Sequence, residues 1–112
     1  MVALGSKDGK ISVWEMKNGN DAQRNYDLDL ASPVHAIKFH SSLFILMAAT
    51  DDGIKLVNLD TQQVDKSIAV KNYKGEKEIK GPGCTTLCFD DTGNNLYTGW
   101  TDGCIRFYSL GF

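Results

Sequence analysis

No apolar run in these 112 residues approaches the roughly eighteen that a membrane-spanning helix needs, so no membrane partner is expected. The opening Met1–Gly5 is not that of a signal peptide. Charge of one sign is not in surplus either. A net charge of −2 sets up no field that would draw nucleic acid non-specifically. Cysteine is scarce and odd in number: three thiols, all on expected strands, carry no disulfide-scaffold pattern and point to a reducing, cytoplasmic setting. Histidine is scarcer still, at two. Neither accompanies a nucleophile motif, so no catalytic constellation is legible and no enzyme is expected. What remains, 42% hydrophobic and 10% aromatic, suits a small globular domain with a modest core and argues against disorder.

The chain is organised around residues 84–110. Three short apolar runs, Thr85–Phe89, Asn95–Trp100 and Ile105–Ser109, are separated by Asp-Asp-Thr-Gly-Asn and Thr-Asp-Gly. Asp-Gly between apolar runs signals a tight hairpin, because the turn needs φ > 0 and glycine supplies it without steric cost. Alternation places Leu87, Phe89, Ile105 and Phe107 together on one half-buried face.

The same phrase occurs three times, as residues 4–16, 48–59 and 98–110. Asp8-Gly9, Asp52-Gly53 and Asp102-Gly103 align, as do Ile11, Ile54 and Ile105. The isoleucines are 43 and 51 residues apart. That is close to the period of about 40–45 expected for a propeller blade of four strands. Upstream, residues 34–40 match 84–90, each 17 or 18 residues before its isoleucine. Two landmarks at a shared offset establish a repeat.

In chain order, residues 1–16 hold a second and a third strand, so the chain opens inside a unit. Lys17–Arg24 is a polar turn, and Tyr26–Leu30 alternates as an outer strand should. The next unit has strands at Val34–Phe39, Leu43–Ala49, Ile54–Asn58 and Lys66–Val70. Its continuously apolar second run predicts a central strand buried on both faces. Lys71–Gly83 is the longest and most charged connection, expected to project as a mobile loop. The last unit stops after its third strand. Nine to eleven strands in three fan-like sheets are expected.

This layout resembles the WD40 repeat, and within it the family of the receptor for activated C kinase, a scaffold of the small ribosomal subunit. Residues 6–15, 48–56 and 84–110, with the long connection before the last unit, carry the resemblance. Ser6, Asp8 and Trp14 occupy positions of the WD40 hydrogen-bonded set. So do Thr50 and Asp52, with Val57 at the Trp position, and Trp100 and Asp102, with Tyr108 there. The Trp-Asp signature itself is replaced by Trp14-Glu15, Val57-Asn58 and Tyr108-Ser109.

The resemblance implies an all-β partial propeller of about two and a half four-stranded antiparallel blades. Residues 1–31 form an incomplete blade, 32–83 a full blade with its charged connection, and 84–112 a blade lacking its outer strand. It also implies a non-catalytic scaffold without cofactors, contacting proteins and RNA of the small ribosomal subunit and recruiting protein kinases and translation factors. The grip on RNA would lie outside this segment, and the remaining blades would be supplied in cis or in trans. The alternative is a generic WD40 interaction platform in another complex, such as a ubiquitin-ligase adaptor or a coat.

Two features have a chemical reading to weigh. Cys84, Cys88 and Cys104 with His35 or His40 could form a zinc site. Cys84 and Cys88, however, would lie on one strand face about 13 Å apart at ~3.3 Å per residue, too far to share a metal, so buried free thiols are expected. Lys71, Lys74, Lys77 and Lys80, with Tyr73, are the candidate partner contacts, because binding surfaces concentrate on loops held by rigid scaffolds. Glu76 and Glu78 between them favour a solvated surface over a nucleic-acid site.

Overall fold

A computed structural model describes residues 1–17 and 21–111, and every regular element among them is a β-strand. The strands are β1 Val2–Gly5, β2 Lys10–Lys17, β3 Asp21–Asp29, β4 Val34–Phe39, β5 Ile45–Thr50 and β6 Gly53–Asn58. They continue with β7 Gln63–Ile68, β8 Asn72–Lys74, β9 Lys77–Ile79, β10 Cys84–Phe89, β11 Asn95–Trp100 and β12 Ile105–Ser109. All pairing is antiparallel between sequence neighbours, giving sheets β1-β2-β3, β4-β5-β6-β7 and β10-β11-β12, and a separate β8-β9 hairpin.

The repeat is visible in the backbone. Gly9, Gly53 and Gly103 all have positive φ, at 90°, 123° and 81°, as the Asp-Gly turns require. A bulge interrupts β4–β5 between Val34 and Ala36, and one interrupts β10–β11 at the matching Cys84 and Thr86. A second matched pair lies at Val13/Trp14 and Leu56/Val57. The linker entering each inner strand is latched the same way. Pro33 accepts from the Asp51 amide at 3.2 Å, and Gly83 accepts from the Thr101 amide at 2.9 Å.

The sheets stack face to face, with β4 beside both β1 and β10. Ile11, Val13, Leu30, Val34, Leu46, Ala48, Val57 and Leu59 form the core between the first sheet and the second. Met47, Ala49, Ile54, Leu56, Cys84, Leu87, Leu96 and Trp100 form the core between the second and the third. The middle sheet is therefore buried on both sides, as the unbroken apolar run in β5 predicts.

Several sequence expectations need correction. The central strand begins at Ile45, because Ser42 and Leu43 donate their amides to His40 Nδ1 and turn the chain there, leaving Leu43 and Phe44 exposed. The outer strand of the middle sheet is Gln63–Ile68 instead of Lys66–Val70, paired through Asn58↔Gln63 to Ile54↔Ile68. In the first sheet β3 runs from Asp21, earlier than Tyr26. Of the expected polar turn Lys17–Arg24, residues 18–20 lie outside the described residues, as does Phe112. Twelve strands are described, one more than the expected upper bound, because the charged connection contains two.

Candidate partner-binding surface

The connection 71–83 is an antiparallel hairpin, not an unstructured loop. Lys74 pairs with Lys77, Tyr73 with Glu78 and Asn72 with Ile79. Gly75, at φ 65°, opens the two-residue turn, a position where this conformation is needed. Every residue from Lys71 to Lys80 is exposed. The hairpin thus stands out from the stacked sheets, and its arms close up at the base, where a Cβ on Gly81 would lie 1.7 Å from the Val70 carbonyl oxygen.

Strand pairing divides the five candidate contacts. Lys74 and Lys77 share one face with Asn72 and Ile79, while Tyr73 and Glu78 share the other. Lys71 and Lys80 lie at the base, lining a groove of about 150 Å³ with Asp51, Asp52, Glu78 and Ile79. The structure therefore separates a dibasic tip from a mixed-charge base. Tyr73, 59% exposed, is an aromatic side chain available for contact.

Elsewhere, polar side chains hold the turns. Thr50 Oγ1 donates to the Gly53 carbonyl at 2.9 Å and accepts from the Asp52 amide at 3.2 Å; Ser32 Oγ also accepts from that amide. Ser6 donates to Asp8 in the equivalent turn of the first sheet. In the third sheet Asp102 takes two hydrogen bonds from Arg106, whose guanidinium lies 5.2 Å from the centre of the Trp100 ring. Those bonds hold the Asp102 carboxyl down at about 2.

The histidines and cysteines do not converge. His35 Nε2 meets Asp51 Oδ1 at 2.5 Å, and His40 Nε2 donates to the Gly93 carbonyl at 2.9 Å. Among the described residues no group of three or more His, Cys, Asp or Glu is placed to hold a metal. The expectation of buried free thiols, with Cys84 and Cys88 on one strand face, is corrected: Cys84 is buried, while Cys88 and Cys104 are exposed. The bulge after Cys84 shifts the alternation by one, so Cys84 shares the core with Leu87 and Cys88 faces away. Burial pushes the Cys84 thiol up to about 11, which keeps it protonated and a poor nucleophile at neutral pH.

One surface escaped the sequence reading. Ile105 and Phe107 do not share a face with Leu87 and Phe89. Leu87 pairs with Thr98, which pairs with Arg106, whereas Cys88, Tyr97 and Phe107 line up on the opposite face. Ile105 is 81% exposed, although its counterparts Ile11 and Ile54 are buried. The apolar pattern alone could not say which face has a neighbour.

Residues 70–109 match the family model for the WD domain, G-beta repeat. Over 99% of its length the chain is similar to the small ribosomal subunit protein RACK1 of Glycine max, at 32% identity, and to RACK1z of Arabidopsis thaliana, at 31%. RACK1 of Schizosaccharomyces pombe is 28% identical over 98% of the chain. The chain spans 36%, 36% and 34% of these relatives' own lengths. Three stacked antiparallel sheets with matched turns, bulges and latches stand beside these similarities, and together they show a WD40 repeat domain in this chain, similar along its length to RACK1 proteins.

Proposed function

We propose that the chain is part of a non-catalytic scaffold that docks on the small ribosomal subunit and recruits protein kinases and translation factors in the cytoplasm. The observation that carries this reading is similarity along nearly the whole chain to relatives named as small ribosomal subunit proteins. In this reading residues 1–31, 32–83 and 84–112 are an incomplete blade, a full blade with its hairpin, and a blade without its outer strand. Further blades, in cis or in trans, hold the ribosomal RNA. The exposed hairpin, through Lys71, Tyr73, Lys74, Lys77 and Lys80, contacts a protein partner.

Sucrose-gradient sedimentation of the epitope-tagged protein in cell extract, with whatever blades accompany it, tests this over a salt series. Co-migration with small subunits at low salt and release as salt rises are expected of an electrostatically held scaffold. A tagged protein that stays at the top of the gradient at low salt leaves only the generic WD40 platform. A variant lacking residues 72–80 should keep its β-sheet circular dichroism and lose at least one partner from the tagged complex. If that deletion unfolds the protein, the hairpin is structural and the site assignment fails.

A further inference from the structure

The hairpin β8–β9 sorts the charges that its sequence interleaves. Along the chain, Lys71, Lys74, Lys77 and Lys80 are mixed with Glu76 and Glu78. In the folded hairpin, register sends Tyr73 and Glu78 to one face and Asn72, Lys74, Lys77 and Ile79 to the other. No strand residue on that second face is acidic. Lys71 and Lys80 sit at the base, where Asp51, Asp52 and Glu78 line the same groove and offset them. Net positive charge is left at the tip, where Lys74 and Lys77 outnumber Glu76 in the turn between them.

Lys74 and Lys77 stand directly opposite each other, an arrangement in which like charges repel. Among the described residues neither ammonium joins an ion pair or a hydrogen bond that would relieve this. The face is also firmly mounted. Pro82 and Gly83, where the hairpin returns, are buried. The Gly83 amide donates to Thr101 Oγ1 at 3.0 Å, and its carbonyl accepts from the Thr101 amide at 2.9 Å. Little conformational freedom at the mount is left for a partner to remove. Ile79, 42% exposed, adds an apolar surface on the same face as the two lysines. Addition of a partner strand to the hairpin edge does not fit, because both strands are three residues long and carry lysine, which blunts an edge. Side chains are what this face offers.

We propose that this face binds an extended, carboxylate-bearing segment of a partner protein. The proposal rests on the reading of the hairpin as a protein contact and names the chemistry of that partner. A segment laid along β9 places one acidic side chain at Lys77 and Lys74, which stand about 5.5 Å apart as a cross-strand pair. Two residues further on, an apolar side chain meets Ile79, because side chains i and i+2 share a face about 7 Å apart on both strands. The pattern read is acid-x-apolar. A nucleic acid fits less well. Its affinity comes from many phosphate contacts, and a phosphate backbone continuing toward the sheets would meet Glu78, Asp51 and Asp52 at the base.

Titration of the isotope-labelled full chain with an acetylated, amidated peptide of repeating Glu-Ser-Leu-Ser tests this, read by backbone amide shifts in NMR spectra. Shifts are expected across residues 72–79, with affinity falling as salt rises. Lys74→Glu combined with Lys77→Glu should weaken binding about tenfold, the loss expected when two exposed ion pairs disappear. Lys38→Glu combined with Lys66→Glu changes the net charge equally at exposed positions away from the hairpin, and should leave affinity within about twofold. Circular dichroism confirms folding, and Lys74→Gln with Lys77→Gln replaces the reversal if it misfolds. Absence of binding, equal losses from the two pairs of substitutions, or tighter binding of oligouridylate than of the peptide would each overturn the proposal. A hairpin that refuses this peptide, while its deletion still strips a partner from the tagged complex, removes only this chemistry and leaves the protein contact standing.

Discussion

At Thr98 a buried hydroxyl serves two groups at once. It donates to the Arg106 carbonyl at 2.9 Å and accepts from the Trp100 indole N–H at 2.6 Å. Valine has nearly the same shape but satisfies neither, so Thr98→Val should cost about 1–3 kcal/mol, read as a lower urea midpoint. Asp102 acts at the surface instead. Its carboxyl titrates below the ordinary 3.8 because Arg106 hydrogen-bonds the charged form. A lowered folded-state value means the contact stabilises fully above the unfolded value, and the contribution disappears as pH falls through about 2. Asp102→Asn should therefore melt below the unaltered chain at neutral pH, with the gap closing as thermal melts are repeated toward pH 2. The resemblance to WD40 repeats marked Asp102 and Trp100 as members of a hydrogen-bonded set. It missed Thr98, because threonine on a strand gives no sign of which neighbour its hydroxyl will find.

Among the elements, the two Asp-Gly turns of the second and third sheets are equivalent in sequence and unequal in surroundings. A Cβ on Gly53, at φ 123°, would lie 2.1 Å from the Ile68 carbonyl oxygen, whereas one on Gly103, at φ 81°, would meet nothing within 4 Å. Gly103→Ala bears only the left-handed backbone strain, about 1–3 kcal/mol. Gly53→Ala bears that and a backbone collision, and should unfold at clearly lower urea. Equal midpoints for the two variants would contradict this account. The strands themselves were largely legible: β4, β11 and β12 fall where alternation and turn residues place them. The hairpin β8–β9 was not. Its lysines and glutamates carry no alternating apolar face, and a two-residue turn with backbone pairing needs none.

On the scale of the whole molecule, stability is shared between two stacking interfaces with the middle sheet common to both. An array of this kind gains stability from each additional neighbour. The sequence by itself determined the repeat, the antiparallel strands, the tight turns and the double burial of the middle sheet. These follow from local geometry, namely glycine at positive φ, period-two alternation and an unbroken apolar run. Only the tertiary structure decided which faces are covered. The isoleucine after the turn is buried in two sheets and open in the third, although all three sit in the same local pattern. A bulge likewise turned Cys88 away from Cys84, because one extra residue reverses every side chain beyond it. Burial depends on what stacks against a face, and residue order along one strand carries no record of that neighbour.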